Sequence, residues 1–240
     1  MKKYLRLPTQ RTRLKLSAGF FVLALIFLWL TAGAPMPLPI LAHYKAAAEY
    51  GMDAGAVVAG GTVRFQSGAA NTKGDTDEGL RWRVSACGDG YFVTTHSRVG
   101  GLFWDAGRAQ PLLAREDGLT DTATLAMGSD FIQDANGMAG YFRSEIVTLI
   151  YVKVPGTARV EVFQDWYRPD NSEGLSEYDW LLAHGTSTDC TEAAPGSGLW
   201  LAQQVWPSRG GGGSSLIRAY DADGTLLYES PVPGAPGFDG

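Results

Sequence analysis

The chain has 240 residues, 25 of them acidic and 20 basic, for a formal charge of −5. That average hides a split: six bases precede an apolar run and every acid follows it, so residues 43–240 carry a formal charge of −11. A segment this acidic repels phosphate backbones and anionic head groups, which argues against a nucleic-acid partner.

Residues 1–15 form a basic tail holding Lys2, Lys3, Arg6, Arg11, Arg13 and Lys15. Residues 16–34 are uncharged and long enough to cross hydrocarbon as a helix, which takes about 20 mainly apolar residues. Bases crowd one flank, and only His43 and Lys45 lie near the other. The positive-inside rule then predicts a single-pass signal-anchor in the cell membrane, N-terminus cytoplasmic and everything after Pro35 extracytoplasmic. The competing expectation is a secreted protein released by signal cleavage, because Ala32-Gly33-Ala34 has the small-x-small form of a cleavage site. Pro35 would then open the mature chain, a poor residue for the peptidase, so retention is the expectation carried forward. The membrane is the partner assigned to residues 16–34.

Residues 35–56 read as a Pro-containing spacer, Pro35-Met-Pro-Leu-Pro39, followed by a short helix over His43–Tyr50 that Gly51 ends. From Val57 the hydrophobic period becomes two. Strands are expected at Thr62–Gln66, Leu80–Ala86 and Tyr91–Thr95, the last two joined by the hairpin signal Cys87-Gly-Asp-Gly90. Between Gly107 and Gly140 only Gln110–Leu113 and Thr122–Met127 stand out. The β-branched run Ile146–Val154 predicts a central strand, and Pro155-Gly156 turns it into Ala158–Gln164. Gly210–Ser215 reads as a flexible loop. Ser215–Tyr220 and Thr225–Glu229 flank Asp221-Ala-Asp-Gly224, the clearest hairpin. The fold class is mainly β: residues 57–240 as an antiparallel β-sandwich or barrel-like ectodomain, preceded by one N-terminal transmembrane helix.

The chain has two cysteines. Export to an oxidising compartment predicts a Cys87–Cys190 disulfide, closing a long loop. Two cysteines so far apart and three scattered histidines do not have metal-ligand spacing, so no metal and no cofactor is expected. Asp75-Thr-Asp-Glu78, Asp134-Ala-Asn-Gly137 and Asp221-Ala-Asp-Gly224 are similar to fragments of calcium loops. None reaches the distant bidentate Glu that an EF-hand needs, and all three read as turns.

Gly90-Tyr-Phe-Val-Thr-Thr-His96 resembles the strand that delivers the catalytic histidine in trypsin-like enzymes. His96, Asp121 and Ser197 follow one another in that family's order of base, orienter and nucleophile. The departures are Thr-Thr before the histidine and a serine without the Gly-Asp-Ser-Gly-Gly surround, so a hydrolase is the alternative reading. Asp165–Trp180 gathers Trp166, Tyr167, Tyr178 and Trp180 among acids and turn formers. Aromatic platforms beside carboxylates suit a glycan or a cationic peptide. The preferred expectation is therefore non-catalytic: a membrane-anchored domain that binds or scaffolds in the cell envelope, with an envelope protein or a glycan as partner.

Overall fold

Period-two patterning after Val57 builds a chain that is mostly strand, with two helices ahead of the strands and a third set among them in the described residues. The computed structural model describes residues 9–31, 33–65, 70–71, 80–99, 101–113, 120–133, 140–165, 174–208 and 214–230. Helix α1 (Gln10–Thr31) is followed by α2 (Pro39–Glu49) and then β1 (Val57–Val63), β2 (Ala70–Asn71), β3 (Leu80–Cys87), β4 (Gly90–Val99) and β5 (Phe103–Leu112). Strands β6 (Thr120–Gln133), β7 (Gly140–Val152) and β8 (Arg159–Asp165) lead to α3 (Glu177–His184). The chain continues through β9 (Thr186–Asp189), β10 (Thr191–Ala194), β11 (Leu199–Ser208), β12 (Ser214–Tyr220) and β13 (Leu226–Ser230).

The strands form three antiparallel sheets, ordered β1-β3-β4-β5, β10-β11-β7-β6-β2 and β13-β12-β8-β9. None closes into a barrel among the described residues.

Alternation along each strand decides which layers meet. In the first sheet Trp82, Val84 and Val93 share a core cluster with Val147, Leu149 and Leu199 of the second. The intervening residues of β7 and β11, Ile150, Val152, Trp200 and Ala202, pack with Val160, Val162, Ile217 and Ala219 of the third. The second sheet is therefore apolar on both faces, which explains why β7 is legible as a near-continuous β-branched run. The outer face of the first sheet is covered by α2, whose Ala46 and Ala47 meet Cys87 and Phe92. The outer face of the third is covered by α3, where Leu181 meets Leu216.

Both expected turns are built as their residues dictate. Cys87 pairs with Gly90, and Gly88 takes φ +56° between them. At the tail hairpin Asp221 Oδ1 accepts from the N–H groups of Asp223 and Thr225, while Gly224 takes φ +82°. The Pro155-Gly156 turn is present, but β8 pairs with β12 and β9 rather than folding back on β7. It carries the chain from the second sheet to the third.

Residues 35–56 are packed against the domain rather than strung out as a spacer. Met36 makes a two-bond antiparallel bridge with Trp104, 2.7 Å in each direction, and Pro39 opens α2 in its first turn. The expected disulfide is not made. Cys87 and Cys190 are both free thiols, the first beneath α2 and the second against the cluster between the second and third sheets. An even cysteine count carries no information on proximity, and here the two residues belong to different layers.

Candidate functional site

The most organised polar chemistry lies where α2 crosses the first sheet. The helix buries a stripe of Ala42, His43, Ala46 and Ala47, spaced to fall on one face of a 3.6-residue turn. On β4 the residues Phe92, Thr94 and His96 point to that same side, with Ser85 and Arg83 of β3 paired opposite Phe92 and Thr94. Three alanines let the helix sit close, and His43 is the one long side chain in the stripe.

Both nitrogens of His43 are engaged: Nδ1 is hydrogen-bonded to Thr94 Oγ1 at 2.7 Å and Nε2 to Ser85 Oγ at 2.9 Å. Thr94 Oγ1 continues to His96 Nε2 at 2.8 Å. His43 is 0% exposed and His96 1%. A neutral imidazole has one N–H and one acceptor nitrogen, and a hydroxyl donates once. Thr94 Oγ1 can donate to only one of the two rings, so at least one of them donates to it.

Both rings are held neutral. Burial, followed by the nearby Arg83 cation, lowers His43 to about 4. Burial, then His43, then Arg83, lowers His96 to about 3. His96 Nδ1 and Arg83 Nε have no hydrogen-bond partner among the described residues. No exposed edge of either ring faces solvent, so the cluster is shaped to fasten α2 to the sheet rather than to meet a substrate.

The same region fixes the end of α1. Gly33 N donates to Leu30 O at 3.0 Å and Ala34 N to Trp29 O at 2.9 Å, the paired bonds of a Schellman cap, with Gly33 at φ +80°. Trp29 Nε1 donates to Pro35 O at 2.8 Å, and Lys45 Nζ of α2 reaches Gly33 O at 2.5 Å. Helix α1, the turn after it, α2 and β5 thus form one hydrogen-bonded junction. Comparison with protein-family models, with curated proteins and with solved structures finds no match. The reading of this chain rests on its own geometry.

The triad considered from sequence is not brought together. His96 lies under α2, its Nε2 on Thr94. Asp121 is at the start of β6, where its oxygens accept from Leu113 N and Thr122 N, both at 2.8 Å. Ser197 sits in the turn before β11 and donates to Ala194 O at 2.6 Å. Ser197 does border an open cleft of about 370 Å³ with Lys153, Glu192 and Trp200, but no histidine lines it.

Of the four aromatics proposed as a platform, Trp166 and Tyr167 lie outside the described residues. Trp180 is buried on α3 with its ring 4.1 Å from that of His184, and the half-buried Tyr178 hydroxyl accepts from Arg218 Nη2 at 3.1 Å. The Tyr178 hydroxyl ties α3 to the third sheet, and burial leaves Trp180 no open stacking face.

Sequence reasoning missed the His43–His96 cluster. Its four members are separated by 2, 42 and 51 positions along the links that join them. The available signal was an isolated histidine in an alanine-rich helix.

Proposed function

We propose that this chain is a single-pass anchored protein that holds its β domain against the extracytoplasmic face of the cell membrane, where it binds or scaffolds rather than catalyses. The observation that carries the reading is α1: 22 residues, mean hydropathy 2.0 over its most apolar window, none of them buried. An apolar helix with no residue buried among the described residues has hydrocarbon as its natural surroundings. Arg11, Arg13 and Lys15 lie at its N-terminal end, the side that stays in the cytoplasm.

The junction supports retention over cleavage. Peptidases take their substrates extended, whereas Gly33 and Ala34 are both at positive φ, 80° and 48°, inside a hydrogen-bonded turn. An envelope protein or a glycan remains the class of partner in this reading. A sandwich-type ectodomain is the finer fold description that goes with it.

Paired reporter fusions after Gly240 test the orientation: a reporter active only outside the cytoplasm should signal, and one active only inside should stay silent. Carbonate extraction tests the anchor, since a retained span keeps the full-length chain in the membrane pellet. Cytoplasmic activity would overturn the orientation, and a shortened, soluble chain would overturn retention.

A further inference from the structure

We infer that the tip of the β4–β5 hairpin, Leu102 and Phe103, together with Leu38 and Leu41 at the start of α2, forms a second membrane contact seated in the lipid surface around α1. This rests on the anchored reading above and adds to it a docking face and its occupant.

These four side chains are large, apolar and exposed: Leu102 is 78% open, Leu38 54%, Leu41 42% and Phe103 38%. Scattered apolar residues need no explanation. These are not scattered, because the junction gathers them at the point where the chain leaves α1. Met36 is bonded through both its N–H and its C=O to Trp104, the residue after Phe103. Leu38 follows Met36 by two positions, and Leu41 lies within the first turn of α2. Only four residues, 32–35, separate the end of α1 at Thr31 from Met36 in this bridge, and the Schellman cap and the Trp29–Pro35 bond hold them in a tight turn. Whatever surrounds the last turn of α1 also reaches the hairpin tip.

The polar groups behind the tip fit a membrane interface. Trp104 is buried, with the guanidinium carbons of Arg81 and Arg98 at 4.7 and 5.2 Å from its ring centre. Arg98 pairs directly with Trp104, and Val99 with Phe103, so the arginines lie just behind the apolar tip. A leucine–phenylalanine point backed by arginines stacked on an indole places apolar atoms at acyl depth and cations at the phosphates. The strongly acidic remainder of the ectodomain is repelled from that same surface, which favours this end facing the lipid.

The test uses the full chain in phosphatidylcholine–phosphatidylglycerol vesicles, spin-labelled at one introduced cysteine: Leu23→Cys in α1, Leu102→Cys at the tip, or Asp223→Cys in the far β12–β13 turn. The unsubstituted chain, labelled in parallel, gives the background from Cys87 and Cys190. Collision with oxygen, which concentrates in lipid, is compared with collision with a water-soluble nickel chelate. Positions 23 and 102 should favour oxygen and position 223 the chelate. Position 102 favouring the chelate while 23 favours oxygen overturns the second contact and leaves the anchor standing. Position 102 shielded from both means a protein or a second copy covers the tip, which also overturns it. Position 23 favouring the chelate overturns the anchor itself. Because Leu102 is so exposed, its replacement has no packing to lose.

Discussion

The buried histidine pair makes the domain's stability depend on pH in a way that can be worked out. In an unfolded chain an imidazole titrates near 6.5. In the folded protein His43 is lowered to about 4 and His96 to about 3. Between these values the unfolded chain binds protons that the folded chain refuses, so stability is full above about pH 6.5 and falls as pH drops toward the folded values. At pH 5 the solution is about 1.5 units below the unfolded value, and at 1.36 kcal/mol per unit the penalty is about 2 kcal/mol for each ring, or about 4 for the pair. That is a large share of the 5–15 kcal/mol that holds a typical domain. Urea unfolding of the full chain in detergent, followed by tryptophan fluorescence at pH 7, 6 and 5, measures it. Trp82 in the core between the first two sheets is a suitable reporter. The midpoint should fall steadily with acidity, and His96→Gln, which keeps a polar group for Thr94, should lose about half the dependence. The third histidine, His184, is exposed on α3 and serves as the control through His184→Gln. A midpoint flat from pH 7 to 5, or a slope unchanged by His96→Gln, would refute the argument.

Gly198→Ala should cost about 2 kcal/mol and lower Tm by about 4–8 °C. Gly198 has φ +71° and an added Cβ would lie 2.5 Å from Val152 O, whereas Gly224→Ala, with φ +82° and nothing within 4 Å, should cost visibly less; equal losses in the two melting curves would mean that the close approach is misplaced. Denatured but unreduced protein should take up two maleimides, because both thiols are free. In the native state labelling should be slow, since Cys87 is buried and burial pushes the Cys190 thiol up to about 12; no uptake after denaturation would restore the bridge.

What could be read in the sequence follows the range of the forces involved. Turn chemistry is local, so Cys87–Gly90 and Asp221–Gly224 were visible in four letters each. The β7 run was visible because burial on two faces leaves little besides Thr148 to interrupt the apolar stretch from Ile146 to Val152. Helix α3 was overlooked inside the acidic aromatic segment, yet Ser176 caps it by accepting from Asp179 N at 3.1 Å, a Ser-x-x-Asp signal placed just before Trp180, Leu181 and Leu182. Strand β9 reads Thr-Ser-Thr-Asp, too polar to announce itself, because it lies at a sheet edge. The partition into three sheets turns on Pro155-Gly156 leading away from β7, and no local pattern separates such a turn from a hairpin. The histidine cluster depends on the same long-range pairings, and so was invisible.

The second and third sheets are woven together: β6 and β7 enter one, β8 and β9 the other, β10 and β11 return, and β12 and β13 finish the third. Strand β8 waits for β12, and Val162, for instance, pairs with Ile217. A chain made from its N-terminus can complete the first sheet early, but the apolar side formed by Trp82, Val84 and Val93 has no cover until β6 and β7 follow. Long-range pairing of this kind is slow, and the unpaired edges invite copies to join one another. If α1 anchors the chain as proposed, copies meet in two dimensions rather than three. The interval before β12 arrives is when this protein is most prone to aggregate.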